Sequence, residues 1–316
     1  MSLDGYPYKP LERIRFHMIV NGSAGSVQRE RVLAALRIGL PQLAPELHQP
    51  ASVAELQKII RDIPSSENLV IAGGDGTLQC ALPELVRTQR PFVVLPLGTA
   101  NDFAKYWGYN PDLLSVYYAL SRRIERKVDV LNCNDVLFAT VGGLGVGALL
   151  TRDFNAMRRK SMAFRKIAQY TGTNIYTGLA AATIVGRRSY LRKYEIQTEG
   201  GSRAGVFSNV FVCNQPRLGG DLLVAPDAKP TDGAFDVLFL RAQTPAELLL
   251  SLAKLRMNQE PQLSERIRCK KMTVRAEDGK GHLLFADGES FEFEGELNFT
   301  VHHHALTLLT SGGTRS

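Results

Sequence analysis

The stretch "NLVIAGGDGTLQC" (residues 68–80) decides the fold. Its apolar run, Leu69-Val70-Ile71-Ala72, reads as a buried strand that breaks on Gly73 and Gly74. "TLQCALPELVR" (77–87) follows with the character of a helix. A strand that turns through glycines into a helix presents backbone N–H groups to an anion. Here an acid, Asp75, stands where the anion should sit, and no lysine accompanies it. The turn therefore does not match the GxxxxGK[ST] phosphate loop.

The same alternation continues on both sides. "IRFHMIV" (14–20) reads as a strand, "NGSAGS" (21–26) as a turn, and residues 27–40 have helical spacing. "SVAELQKIIRDI" (52–63) reads as a helix, with Ser52 as cap and Glu55 three residues on, as in a capping box. "PFVVLPLG" (91–98) is a strand, and "DFAKYWG" (102–108) and "PDLLSVYYALSRR" (111–123) are short helices, the second with Pro at its start. This β-turn-α order predicts an α/β fold with a doubly wound, mostly parallel sheet.

After Lys127 the pattern changes to short apolar or alternating runs separated by turns, from "VDVLNCN" to "NFTVHHHALTLL". They predict an antiparallel, β-sandwich-like region, interrupted by helices near 162–183 and at "TPAELLLSLAKLRM" (244–257). The expected division is an α/β nucleotide-binding domain (11–127), a β-rich substrate domain (128–297) and a final segment (298–316) that returns to the first domain.

A chain of 316 residues, 44% hydrophobic, suffices for two domains with a substantial core. The four cysteines form no CxxC pair, which points to a reducing compartment without disulfides or a zinc site. Two uncharged windows, 136–151 and 167–186, are the candidates for membrane spans. The first is short and carries four glycines; the second is diluted by Thr, Asn, Gln and Tyr. Neither reaches the roughly 20 apolar residues that a span needs. The protein is expected to be soluble and cytoplasmic.

The net charge of +7 is unevenly placed: residues 151–193 hold ten Arg or Lys against one acid, Asp153. Such a cluster suits phosphates, and near an anionic bilayer each basic residue contributes about 1 kcal/mol. A solvated helix face is the plainer reading. No nucleic-acid module and no interleaving of aromatics with the basic residues appears, so no stable nucleic-acid partner is expected.

Besides the turn at Gly73, two more glycine turns, "NGSAGS" (21–26) and "PLGTANDF" (96–103), follow strands. Loops at the carboxyl ends of adjacent parallel strands converge on one crevice, where ligands of such sheets bind. "GLGVGA" (143–148) fits the dinucleotide fingerprint, but it lies in the β region and no acid follows at the ribose distance. It reads as glycines packing closely in a sheet.

Asp-Gly recurs at 4–5, 75–76, 232–233, 278–279 and 287–288. The pair is a strong hairpin signal and carries no chemistry alone. Asp278-Gly279 reads as a plain hairpin. At 287–289 a second acid follows, and two acids one residue apart in a tight turn can both point into a cleft. A carboxylate there with a raised pKa could accept a hydroxyl proton. Residues 302–304, "HHH", suggest a metal site, but neighbours alternate faces on a regular strand, so the three cannot share one ion.

"GGDGT" (73–77), "PLGTANDFA" (96–104), "GGDLLVAPDAKPTDGAFDV" (219–237) and "DGE" (287–289) occur in the order seen in the diacylglycerol kinase catalytic domain family. The chain resembles that family over about residues 14 to 310. The family includes soluble bacterial lipid kinases and sphingosine kinases. "GGDGT" alone is shared with NAD kinases; "PLGTANDFA" is the more specific motif.

The resemblance implies transfer of the ATP γ-phosphoryl group to a lipid hydroxyl, with Mg²⁺, in a cleft between the domains. It implies nucleotide contacts at Gly73, Gly74, Asp75, Gly76, Thr77, Gly98, Thr99, Asn101 and Asp102. Asp75 would face the Mg²⁺-bound phosphates, and Glu289 would be the general base with Asp287 beside it. A structural Mg²⁺ would be held by Asp232 and the backbones of Lys229 and Ala234. The implied substrate is diacylglycerol or a similar lipid alcohol, met at an anionic membrane surface by peripheral association; a homodimer is left open.

The chain departs from the family where Leu78-Gln79-Cys80 replaces the common Ile-Asn-Glu, where "NGSAGS" replaces "NPxSG", and where residues 47–53 lack a threonine. Two alternatives stand beside the lipid kinase: an NAD kinase-like phosphotransferase for a soluble substrate, and a non-catalytic nucleotide- or nucleic-acid-binding protein.

Overall fold

The computed structural model describes residues 14–20, 30, 34, 43–160, 184–186, 190–219 and 222–312. The expected helices at 27–40 and 162–183 and the turn at 21–26 lie wholly or almost wholly outside them.

The run before the glycines forms β3 (Asn68–Gly73), buried from Leu69 onward. It lies between β1 (Ile14–Val20) and β4 (Pro91–Pro96), parallel to both. Strands covered on both faces need continuous apolar runs rather than alternation, which is what β3 and β4 supply, whereas β1 interrupts its run with Arg15 and His17. The edge strand β2 (Leu43–His48) pairs with β1, also parallel. Pro45 is tolerated there because an edge strand has one free side.

Helix α1 (Val53–Asp62) runs between β2 and β3 and α2 (Asp75–Thr88) between β3 and β4, while α3 (Asp102–Tyr106) and α4 (Leu113–Arg122) follow β4. Ser52 caps α1 through the Glu55 N–H at 3.1 Å, but the Glu55 carboxylate returns to the Ala51 N–H at 2.7 Å rather than to Ser52, so the capping box is shifted by one residue. Asp112, not Pro111, opens α4, accepting from the Ser115 N–H at 2.7 Å.

The antiparallel half contains β5 (Ile124–Cys133), β6 (Val136–Phe138), β7 (Val141–Gly145), α5 (Val146–Lys160), β8 (Arg192–Thr198), β9 (Gly201–Phe207), β10 (Asn209–Cys213), β11 (Arg217–Leu218) and β12 (Leu222–Leu223). After them come β13 (Phe235–Leu240), α6 (Pro245–Arg256), β14 (Ser264–Cys269), β15 (Lys271–Ala276), β16 (His282–Ala286), β17 (Glu289–Phe293) and β18 (Leu297–Thr310). One sheet has the order β2-β1-β3-β4-β18-β15-β8-β9, with β5 on β18 and β6 on β5; a second has the order β14-β13-β10-β7-β16-β17. Strand β18 joins the halves, pairing in parallel with β4 at Thr307–Pro91 and antiparallel with β5 and β15.

The two sheets face each other across Leu131, Phe138, Ile196 and Phe299 on one side and Leu144, Val212, Phe235, Val237, Phe239 and Leu284 on the other. Burying each such side chain contributes roughly 1.5–3 kcal/mol. On the second sheet's outer face, Leu238 and Leu240 pack with Leu248 and Leu255 of α6. Both faces of β13 are thus covered, which accounts for its near-continuous apolar sequence.

Three expectations change. "GLGVGA" does pack closely, since a Cβ on Gly143 would stand 2.0 Å from the Val210 carbonyl oxygen, yet it also leads directly from β7 into α5, a helix not foreseen. Asp278-Gly279 is not a hairpin: β15 and β16, which flank it, belong to different sheets. And β18 is not regular at the histidines. Its register shifts between His302 and Leu306, and His304 takes φ +54°. This bulge brings His303 and His304, without His302, to the buried Asp129.

Candidate active site

The carboxyl ends of β3 and β4 place the two glycine turns against each other. A Cβ on Gly98 would lie 2.6 Å from the Gly74 Cα, and one on Gly73 would lie 2.4 Å from Thr77 Oγ1. Glycine is required by this approach, which leaves backbone at the mouth of the crevice. The Leu97 N–H donates to the Gly73 carbonyl at 2.9 Å and locks the turns together. Asn101, at φ +52°, closes its own loop: its Oδ1 accepts from the Gly98 N–H at 2.9 Å and its Nδ2 donates to the Gly98 carbonyl at 2.8 Å. Thr99 stands exposed on that loop.

Asp75 opens α2 and accepts two N–H groups from the first turn of α3, Asp102 at 3.0 Å and Phe103 at 3.2 Å. Burial, the largest effect, raises its pKa, while those amides and Lys105 pull the other way. Asp102 in turn accepts from the Gly219 N–H at 2.5 Å, linking this turn to the antiparallel half.

From that half, the two-residue turn Asp287-Gly288 joins β16 to β17, with Ala286 opposite Glu289. Both turn residues have positive φ, +47° and +82°, the pattern of a hairpin of primed type. Asp287 is buried and accepts from the N–H groups of Ala139 and Thr140, each at 2.8 Å, and from the Thr140 hydroxyl at 2.5 Å. Burial pushes its pKa up to about 7 against these donors, and Asp75 adds to the rise. Glu289 Oε1 would stand 3.4 Å from a Cβ on Gly76 in the first turn of α2. Asn155 of α5 donates to Glu289 Oε2 at 3.1 Å and to the Gly288 carbonyl at 3.0 Å, and Gln79 donates to the Ala286 carbonyl at 3.3 Å. Three carboxylates from two halves of the chain therefore meet at the glycine turns.

Of the residues singled out from the sequence, Gly73, Gly74, Asp75, Gly76, Thr77, Gly98, Thr99, Asn101, Asp102, Asp287 and Glu289 belong to this one region. Lys229, Asp232 and Ala234 form a second group, in the loop between β12 and β13. Asp232 is ion-paired with Arg268, and the Ala234 N–H donates to Asp232 Oδ1 at 3.2 Å. Asp129 holds this loop through the Gly233 N–H at 2.7 Å. Asn155, Thr140 and Gln79 were not anticipated. Asn155 sits inside the basic segment, where only charge was counted, and Thr140 follows a strand with no motif around it.

That segment is partly spent on internal contacts. Arg192 pairs with Asp278 at 2.5 Å and Lys193 with Glu277 at 2.7 Å, while Arg152 meets Asp153 at 3.4 Å. Among the described residues no helix is long and apolar enough to cross a membrane.

Both halves of the chain are similar to known proteins. Residues 15–133 match the diacylglycerol kinase catalytic domain, and residues 143–310 match the YegS C-terminal NAD kinase beta sandwich-like domain. A relative in Pseudomonas aeruginosa strain PAO1, named "Probable lipid kinase YegS-like", is 30% identical over 78% of this chain and 77% of its own length. One of the same name in Shewanella frigidimarina is 28% identical over 55% of this chain and 54% of its own length, so the match spans about half of that protein. The crystal structure of a diacylglycerol kinase from Bacillus anthracis shares the fold at a TM-score of 0.66, with 16% identity over 96% of this chain and 98% of that one. By both of its halves, the chain belongs to the diacylglycerol kinase catalytic domain family, in the form that carries the YegS-type C-terminal domain.

Proposed function

We propose that this chain is an ATP- and Mg²⁺-dependent lipid kinase that transfers the γ-phosphoryl group to a hydroxyl of diacylglycerol or a similar lipid alcohol. The observation that carries the reading is the approach of Glu289, from β17, to Gly76 in the glycine turn of the other half. It sets a candidate proton acceptor beside a candidate phosphate cradle.

The residues suit both a nucleotide and Mg²⁺. Turns whose glycines leave no space for a Cβ expose amide groups to phosphate oxygens. Asp75 is a hard oxygen donor of the kind Mg²⁺ prefers beside phosphate. When bound, the metal would neutralise charge on the transferred group. In this reading Gly73, Gly74, Gly76, Thr77, Gly98, Thr99 and Asn101 cradle the nucleotide, and Asp102 ties the cradle to the substrate side. Asp75 would help to hold the ion beside the phosphates. Glu289 takes the proton of the acceptor hydroxyl as its oxygen attacks the γ-phosphorus and ADP leaves. Asn155 holds Glu289, and Asp287, fixed by three donors, shapes the turn. Asp232, with the carbonyls of Lys229 and Ala234, would hold a second, structural Mg²⁺.

Residues 11–127 then serve as the nucleotide domain, 128–297 as the lipid domain, and 298–316 as the segment that returns to the first domain. The basic segment, residues 151–193, would meet an anionic membrane from the cytoplasmic side. The names of the relatives favour a lipid over NAD. Transfer of labelled γ-phosphate to a lipid extract, to diacylglycerol and to NAD, with and without Mg²⁺, tests the reading. Label in the lipid fraction, lost in Glu289→Gln by roughly two to four orders of magnitude, is expected. Label in NAD alone would overturn it.

A further inference from the structure

A second cluster of titratable groups lies on the outer strands of the parallel sheet. His17 on β1 stands in register with Glu46 on β2, and His48 lies two residues beyond Glu46. Residues two apart on a strand share a face, so all three side chains project together. His17 Nδ1 is 2.9 Å from His48 Nε2. Glu46 Oε2 is 3.8 Å from His17 Nδ1, and Glu46 Oε1 is 3.7 Å from His48 Nε2.

These separations bracket the edge of a tetrahedron around a metal with bonds of about 2.0–2.1 Å, which is about 3.3 Å. The remaining nitrogen of His17, Nε2, meets the carboxylate of Glu67 just before β3. A carboxylate accepts, so Nε2 carries the hydrogen and Nδ1 turns its lone pair towards His48 and Glu46. A carboxylate behind a ligating histidine is the arrangement that orients such rings in metal sites. The side chains of His17 and His48 are 10% and 20% exposed and are held by packing, whereas Glu46 is 69% exposed and gives an ion a path in.

The other His-containing cluster differs. Asp129 has both carboxylate oxygens occupied, by His303 Nδ1 and the His304 N–H on one and the Gly233 N–H on the other. That group is a hydrogen-bonded clamp on the Asp232 loop and the β18 bulge.

We propose that His17, His48 and Glu46 form a zinc site, with Glu67 orienting His17 and the fourth position open to water. Imidazole donors exclude Mg²⁺ and Ca²⁺ as preferred occupants and suit Zn²⁺. The ion fastens the proline-containing edge strand β2 to β1, remote in sequence from every residue assigned to the kinase site.

The test uses the full, tag-free chain stripped of metal, titrated with Zn²⁺ against a chromogenic chelator. A single zinc ion per chain is expected, with micromolar or tighter affinity and no displacement by millimolar Mg²⁺. His48→Gln and Glu46→Gln, on the accessible edge strand, should each weaken binding tenfold or more. Glu67→Gln should weaken it about 10- to 100-fold. The double variant His303→Ala/His304→Ala should bind as the parent does. Anomalous scattering at the zinc edge should place the ion between β1 and β2. Should His17→Ala fail to fold, His48→Gln carries the same test, with circular dichroism as the check on folding. No binding in the micromolar range overturns the proposal, as does binding that survives His48→Gln or disappears in the His303→Ala/His304→Ala variant.

Discussion

Asn155 donates from one amide nitrogen both to the Gly288 carbonyl, at 3.0 Å, and to the Glu289 carboxylate, at 3.1 Å. One side chain thus fixes the turn and aims the group that follows it. Asn155→Ala should leave the fold intact and lower kcat, because misplacing a reacting group by about 1 Å costs on the order of 100-fold. Asn155→Asp should cost more, since it sets a second carboxylate against the first. Steady-state kinetics separates this from general damage: kcat falls while the KM for ATP stays near the parent value.

The glycines of the crevice should divide into two classes. At Gly98 a methyl group would meet the Gly74 Cα at 2.6 Å and Asn101 Oδ1 at 2.8 Å. Gly98→Ala must move backbone, so it should lose about 1–3 kcal/mol of stability and weaken nucleotide binding. At Gly76, among the described residues outside its own helical backbone, a methyl group would meet Glu289 Oε1, at 3.4 Å. Gly76→Ala should keep its stability, and alanine in a helix can add about 0.5–1 kcal/mol. Turnover should fall, because the methyl group occupies the space before Glu289. Urea melts paired with kinase assays check the contrast.

Asp287 gives the apoprotein a particular pH dependence. Burial, with Asp75 nearby, raises its pKa to about 7, above the value of an unfolded aspartate near 3.9. Between those values the native state holds a proton that the unfolded state has lost. Stability contributed by this group is therefore full below about pH 4 and is lost as the pH rises to about 7. The urea midpoint of the metal- and nucleotide-free protein should carry a falling component over that interval. Asp287→Ala should lack that component while being less stable at every pH, because three donors lose their acceptor.

Much of this was legible in the sequence. "NLVIAG" is β3 residue for residue, since a doubly buried strand ended by glycines leaves few other readings. The edge strand β2 was not legible: Pro45, Glu46 and His48 break the apolar pattern, and only pairing with β1 makes "LAPELH" a strand. Asp278-Gly279 and Asp287-Gly288 carry the same local signal, yet only the second joins paired strands, because sheet membership is decided by distant packing. Asn155 and Thr140 stay hidden for the same reason, as their partners lie more than a hundred residues away.

The Asp232 loop gives the last prediction. Asp232 already has a counter-ion in Arg268, and burial, with Asp232 and Asp227 near, raises the pKa of Asp236 against the pull of Arg268. A Mg²⁺ held by Asp232 and the neighbouring carbonyls must compete with that guanidinium for the same carboxylate. Mg²⁺ should therefore raise the melting temperature of the parent, with a gain of about 2.7 kcal/mol at a hundred times the dissociation constant. Asp232→Asn should remove most of this gain. Arg268→Gln should enlarge it, moving the titration to lower Mg²⁺, because the ion no longer displaces a bound cation. Thermal melts across a Mg²⁺ series, without nucleotide, read out all three proteins. A parent and Asp232→Asn that respond alike would remove this loop from the metal's binding sites.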